Sequence, residues 1–349
     1  MTRIILLVDP RFSGGTSSAV AREIAALAPV CTLQVQGLET CMFKGRTPNP
    51  RITEAVEEAG VPFSWAQGVV RSEAVVLHNP SCLRFNKTLG ARILCDRLYV
   101  VCHENFVLPT GSEAFDVAGA LDMIEASTLA RRLVLCPISG LNRRTVEAWL
   151  SANPRPRWEV AGFDWFNICD FEMTAPVAVP ADRRGRVSRP GFEKFPKVED
   201  LRAAFPPHAE RNALLGADAL LREGADFGPN TTLLPFGAEE VERFLEGIDF
   251  FVYHTSPGWT ESFGRVIAEA IAAGKVVITD PAIATSFPGM VVPAAAGDVD
   301  GVIGSFLSGE RPYAEFVRQA QIRLAGFSVE AFRATVFENV QHGGKPAWT

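Results

Sequence analysis

Two glutamates eight residues apart, Glu261 and Glu269, stand in the segment YHTSPGWTESFGRVIAEAIAAGKVVITDP (253–281). The pattern predicts a strand ending near Tyr253, a Pro/Gly turn, and a helix from about Glu261 through Ala273. Gly274 would stop that helix, since glycine is a common residue just past a helix C-terminus. On a helix, eight residues advance about 12 Å and return to within roughly 80° of the same face. Glu261 would then stand at the helix mouth with Glu269 deeper along it. The amides of Ser262, Phe263, Gly264 and Arg265 would be first-turn donors, a ready anion site. A sugar nucleotide has about the right length for this arrangement. Its diphosphate would meet the amides, its sugar hydroxyls one carboxylate and its ribose diol the other.

Other residues with chemical potential lie at expected strand ends. The basic segment GRVSRPGFEKFPKVEDL (185–201) carries Arg186, Arg189 and Lys194. Gly14 and Gly15, in DPRFSGGTSSAVAREI, precede a helical pattern; glycine lets a backbone approach a ligand closely, and a helix start can face phosphate. The same glycines also suit a tight strand-to-helix turn. His78 closes VVLH, His103 follows RLYVVC and His254 follows DFFVY.

The elements that must position these residues alternate apolar runs with helical stretches, which points to α/β structure with parallel sheets. Strands are predicted at 4–9, 32–36, 74–78, 97–102 and 132–136, with helical patterns between them. APVAVPADRRGRVSRP restarts the alternation, with further apolar runs at 212–217, 231–236, 249–256, 274–280 and 290–293. Two doubly wound domains in tandem follow: residues 1–170 and 171–325, with 326–349 a C-terminal helix that caps the second domain or crosses back to the first. In open parallel sheets ligands bind beyond the carboxyl ends of the strands. Two such domains facing each other would make a cleft lined by strand-end loops.

Bulk properties set limits. The 349 residues are 47% hydrophobic and 21% charged, ample for two cores and unlike a disordered chain. A net charge of −6 offers no general attraction to nucleic acid. Residues 1–170 hold 17 basic and 17 acidic side chains, so the deficit lies in the remainder, and a neutral first half is compatible with peripheral contact at an inner membrane face. No apolar run approaches the about 18 residues that span a bilayer. The N-terminal run ends in Asp9 and Pro10 with no cleavage site, so it reads as a buried strand and the expected location is cytoplasmic. The seven cysteines form no CxxC pair and are odd in number, against a disulfide framework or zinc site.

The segment ESFG…EAIAAGKVVITD resembles the Glu-x7-Glu region of family-4 retaining glycosyltransferases. The resemblance covers most of the second half strongly and the first half loosely. It implies the GT-B architecture of two Rossmann-like domains around a cleft. It implies donor-sugar contact for Glu261, ribose binding for Glu269, and a diphosphate held by Arg186 and Lys194, with Arg189 a spare because the spacing is a few residues longer than the family's. Gly14 and Gly15 resemble the family's N-terminal glycine loop, and His103 its strand-end histidine near donor sugar and acceptor. The implied reaction moves a sugar from a nucleotide diphosphate donor to a hydroxyl of a glycan or lipid-linked acceptor with retention of configuration, in bacterial polysaccharide or glycan assembly. No carboxylate in the first half stands out as a double-displacement nucleophile, which favours a same-face mechanism. Cations opposite the developing phosphate charge would stabilise the leaving group. No cofactor is expected, the donor being a substrate. No metal is expected either: Asp298-Val299-Asp300 has the form of a metal-binding DxD of another glycosyltransferase fold, but helix N-capping accounts for it. A sugar-nucleotide epimerase and a catalytically inactive nucleotide-sugar-binding protein remain open alternatives.

Overall fold

A computed structural model describes residues 2–12 and 14–342. The chain forms two compact units. One runs to Ile168 and resumes at Phe327; the other is Cys169–Gly326.

The first unit contains β1 (Arg3–Val8), α1 (Gly15–Leu27), β2 (Thr32–Gly37), α2 (Pro50–Glu58), β3 (Phe63–Trp65), β4 (Gly68–His78), β5 (Ala91–Cys102), α3 (Val117–Ala126), β6 (Thr128–Pro137), α4 (Gly140–Ala152) and β7 (Trp158–Val160). All seven strands pair in parallel in the order β3-β2-β1-β4-β5-β6-β7. The central strands read as unbroken apolar runs because residues on both of their faces are buried: Ile4–Val8, Ala74–Leu77 and Leu98–Cys102 are all in the core. The short edge strands β3 and β7 carry no such run.

The second unit contains β8 (Arg183–Val187), α5 (Val198–Ala204), β9 (Arg211–Leu215), α6 (Asp218–Glu223), β10 (Thr231–Leu234), α7 (Val241–Glu246), β11 (Phe250–Tyr253), α8 (Arg265–Ala272), β12 (Val276–Thr279), α9 (Pro281–Ala284), β13 (Val292–Pro293), α10 (Val299–Leu307) and α11 (Tyr313–Leu324). Its six parallel strands follow the order β10-β9-β8-β11-β12-β13. Each sheet therefore reverses its strand order once, between β1 and β4 in the first unit and between β8 and β11 in the second. That reversal is where an open parallel sheet binds ligands.

After α11 the chain rejoins the first unit through α12 (Val329–Phe332), a π-helical turn over Arg333–Phe337 and α13 (Glu338–His342). Phe332 packs edge-on against Trp165 and Phe166, and Arg333 Nε donates to the Ala26 carbonyl at 2.8 Å. Among the described residues no helix is long and apolar enough to cross a membrane.

Candidate functional site

In the second unit the sequence-derived candidates gather where β8 and β11 end. Arg186 does not stand in a loop after the unit's first strand, as the resemblance to the family implies, but within β8, and is 1% exposed. Its guanidinium lies between the rings of Phe195 and Tyr253, 4.8 and 4.5 Å from their centroids. Nη1 donates to the His254 carbonyl at 2.6 Å and Nη2 to the Lys194 carbonyl. Arg186 thus ties the loop after β8 to the end of β11. Burial lowers its pKa from the usual arginine range, an effect opposed by Tyr253, Glu261 and Asp280.

Lys194 is buried, with Nζ 2.7 Å from Glu261 Oε1 and 3.4 Å from the centre of the Trp259 ring. Tyr253 donates its hydroxyl to the same Glu261 oxygen. Burial pushes the Lys194 pKa down, opposed by Glu261, while burial and then the Glu261 charge push the Tyr253 phenol well up. The result is one carboxylate held by a cation and a phenol. Arg189 is exposed, and its charge reaches both Lys194 and Tyr253.

The helix expected from Glu261 begins four residues later, at Arg265. Gly264 caps it at φ 88°, a left-handed conformation that side chains disfavour. Glu261, Ser262 and Phe263 therefore lie in the preceding loop, so the amides of Ser262, Phe263 and Gly264 are not a helical first turn. Phe263 is buried against Phe287. Glu269 is on the helix, its carboxylate accepting from Arg265 Nε at 2.8 Å, and Arg265 lies over the Phe171 ring at 5.0 Å. The two glutamates do not share a helix.

Among the described residues, three buried polar atoms at these strand ends have no hydrogen-bond partner: Arg186 Nε, Ser188 Oγ and His254 Nδ1. Such groups are rare in folded proteins and call for an explanation, a bound ligand among them. The other His254 nitrogen, Nε2, is 2.9 Å from the Ala294 carbonyl, so His254 is anchored from behind. Gly216 completes the floor. At φ 84°, a Cβ there would fall 1.8 Å from the Ser188 carbonyl oxygen, so only glycine lets β9 end so close to β8.

In the first unit Gly14 and Gly15 open α1 directly after β1. A Cβ on Gly15 would meet no atom within 4 Å, so the space above it is open. The turn is braced by Asp9, whose carboxylate accepts from Arg11 Nη2 at 2.7 Å and from the Thr40 hydroxyl at 2.7 Å. His103, half-buried beyond β5, has its Nε2 3.0 Å from Nδ1 of the fully buried His78. Burial, reinforced by His78, holds the His103 pKa well below the ordinary imidazole value. Both histidines stand at the end of the sheet where Gly14 and Gly15 lie.

The capping account of the DxD is corrected. Asp298 precedes α10 without a side-chain capping bond, and Asp300 instead accepts from Arg184 Nη2 at 2.6 Å and contacts His208 Nε2 at 2.9 Å. Asp182, His208 and Asp300 could each offer a metal ligand within 4.8 Å of one another. The Arg184 guanidinium, however, already donates to both carboxylates.

No protein-family model matches the sequence, and no curated protein does. Solved structures do. HepE from Anabaena, in complex with UDP, superposes with a TM-score of 0.65 at 15% identity, over 97% of this chain and 100% of that one. The outer core galactosyltransferase WaaB in its apo form gives 0.61 at 13% identity, over 99% and 100%. Sucrose-phosphate synthase from Thermosynechococcus elongatus gives 0.60 at 15% identity, over 97% and 98%. The chain has the GT-B fold.

Sequence reasoning missed Tyr253, Trp259, Ser188 and Gly216. Tyr253 had a readable signal, because a tyrosine at the end of a buried run needs a partner for its hydroxyl.

Proposed function

We propose that the chain is a glycosyltransferase that takes its sugar from a nucleotide diphosphate donor. The observation that carries this reading is the Lys194–Glu261–Tyr253 cluster at the β8/β11 reversal, beside the unpartnered donors of Arg186 and Ser188. A donor bound there would exchange partners with the protein. Its sugar hydroxyls would take Glu261 from Lys194, and the released ammonium would meet the diphosphate. Among the similar structures, HepE was solved with UDP and with UDP-glucose, which supports the ligand class.

Breaking the bond between the anomeric carbon and oxygen leaves the electron pair on the β-phosphate. Lys194 and Arg189 offset that charge as it develops, when stabilisation raises rate. The acceptor hydroxyl attacks from the same face, its proton passing to the departing phosphate, and the configuration is retained. Glu269 binds the ribose once it turns from Arg265. The acceptor is a glycan or lipid-linked sugar, and no metal takes part. Arg186 acts as the strut beneath Lys194.

The test begins with thermal shift against UDP-, GDP- and ADP-sugars. A bound donor raises stability by about 2.7 kcal/mol at a hundred times its dissociation constant. Nucleotide release is then followed with and without an acceptor extract, with EDTA present. A stabilising donor with acceptor-dependent release is expected. No shift with any donor sinks the reading, and a complete EDTA block restored by manganese or magnesium sinks its metal-free part.

A further inference from the structure

Behind His103, in the first unit, lies a chain of buried polar groups that the proposed reaction does not use. His78 Nε2 is 3.5 Å from Glu23 Oε1, and the other oxygen of Glu23 accepts from Trp165 Nε1 at 3.0 Å. Glu23 and His78 are 3% and 0% exposed. Among the described residues neither Glu23 Oε1 nor His78 Nε2 makes a hydrogen bond, and the two face each other at 3.5 Å. Asn79, next to His78, is held in the left-handed conformation at φ 57° and donates its amide to the Val101 carbonyl at 3.0 Å, fixing where His78 leaves its strand.

We infer that Glu23 and His78 are positioning residues that set the tautomer of His103, so that His103 offers a lone pair at Nδ1 rather than an N–H. Indole Nε1 can only donate, and an ionised carboxylate can only accept. Glu23 therefore takes a hydrogen bond from Trp165 on one oxygen, and its other oxygen, 3.5 Å from His78 Nε2, favours a proton on that nitrogen by its charge. A neutral imidazole has one N–H, so His78 Nδ1 is left as an acceptor. His103 Nε2, 3.0 Å away, must donate to it. That leaves Nδ1 of His103 as the acceptor, suited to a sugar or acceptor hydroxyl. This functional consequence rests on the glycosyltransferase reading; the tautomer itself does not.

Glu23→Gln gives a sharp test because it is nearly isosteric and asymmetric. Trp165 still needs an oxygen opposite its N–H, so the new amide must turn its NH2 towards His78. His78 Nε2 then accepts, Nδ1–H donates, and His103 switches to Nδ1–H. Ring-nitrogen NMR of the whole ligand-free protein reads this directly. Expected are Nε2–H on His103 in the wild type, Nδ1–H in Glu23→Gln, and partial return in Glu23→Gln with Trp165→Phe, where the amide is free to rotate. With the donor of largest thermal shift, Glu23→Gln should lower kcat about ten- to a hundredfold while affinity for the nucleoside diphosphate alone is unchanged. A wild-type His103 protonated on Nδ1, as a doubly protonated His78 would produce, overturns the assignment, and the wild-type spectrum suffices even if the variant fails to fold. An unchanged tautomer in a folded Glu23→Gln does the same. A wild type without transferase activity but with the expected spectrum defeats the functional reading and leaves the relay in place.

Discussion

At the scale of residues, the second unit separates groups that hold from groups that act. Arg186 has two donors on backbone carbonyls and rings on both sides. Arg186→Ala would strand the carbonyls of His254 and Lys194 in the interior, and an unsatisfied buried group costs about 1–3 kcal/mol. A lower denaturant midpoint is expected. Lys194→Ala should behave differently: near-normal folding with kcat down about 10²–10³, the usual loss for one donor to a developing oxyanion. A rise in KM alone would reduce Lys194 to a tether and direct attention to Arg189. Glu269→Ala should weaken free UDP, or whichever diphosphate binds, in step with the donor; calorimetry showing unchanged affinity would reject the ribose role. His103 sets a pH dependence of stability. Its folded pKa is depressed below the unfolded value of about 6.5, so the unfolded state binds more protons as pH falls. Stability should be flat above that value and decline below it. The decline should be shallower in His103→Asn.

At the scale of elements, strand ends were legible and the geometry just beyond them was not. Unbroken apolar runs mark central parallel strands, and they placed His78, His103 and His254 near carboxyl ends. The helix after Glu261 was started four residues too early, because the left-handed Gly264 breaks a pattern whose residue types still suit a helix. The His78–His103 contact was hidden by register: His78 pairs with Val101 across β4 and β5, and His103 lies two residues further, on the same side of its strand. Sequence spacing does not carry register between strands. Gly216→Ala should reveal another such approach. The left-handed backbone alone costs about 1–2 kcal/mol, and the clash with the Ser188 carbonyl adds to it, so the denaturant midpoint should fall by more than that conformational cost alone.

At the scale of the whole molecule, each unit carries its own strand-order reversal, and the second half of the chain announced its candidate residues more loudly than the first. The Glu261 segment is contiguous, whereas His103, His78, Glu23 and Trp165 come from four separate stretches. Closing helices also belong to different units. Phe332→Ala, removing a ring packed on Trp165 and Phe166, should cost about 3–5 kcal/mol in the first unit. Calorimetry should show that loss in one transition while nucleotide continues to stabilise the other.

The return of the chain at Phe327 has a consequence for synthesis. A domain emerging first from the ribosome usually folds first. Here the second unit, Cys169–Gly326, emerges ahead of the helices that cover Trp165 and Phe166 in the first. The first unit must wait, partly uncovered, until the helices beyond Phe327 have emerged. Nascent chains that end at Gly326 and are carried clear of the tunnel on an added linker should already bind nucleotide through the finished unit yet remain protease-sensitive in the earlier one. Release of the last helices then seals the part of the protein that was made first.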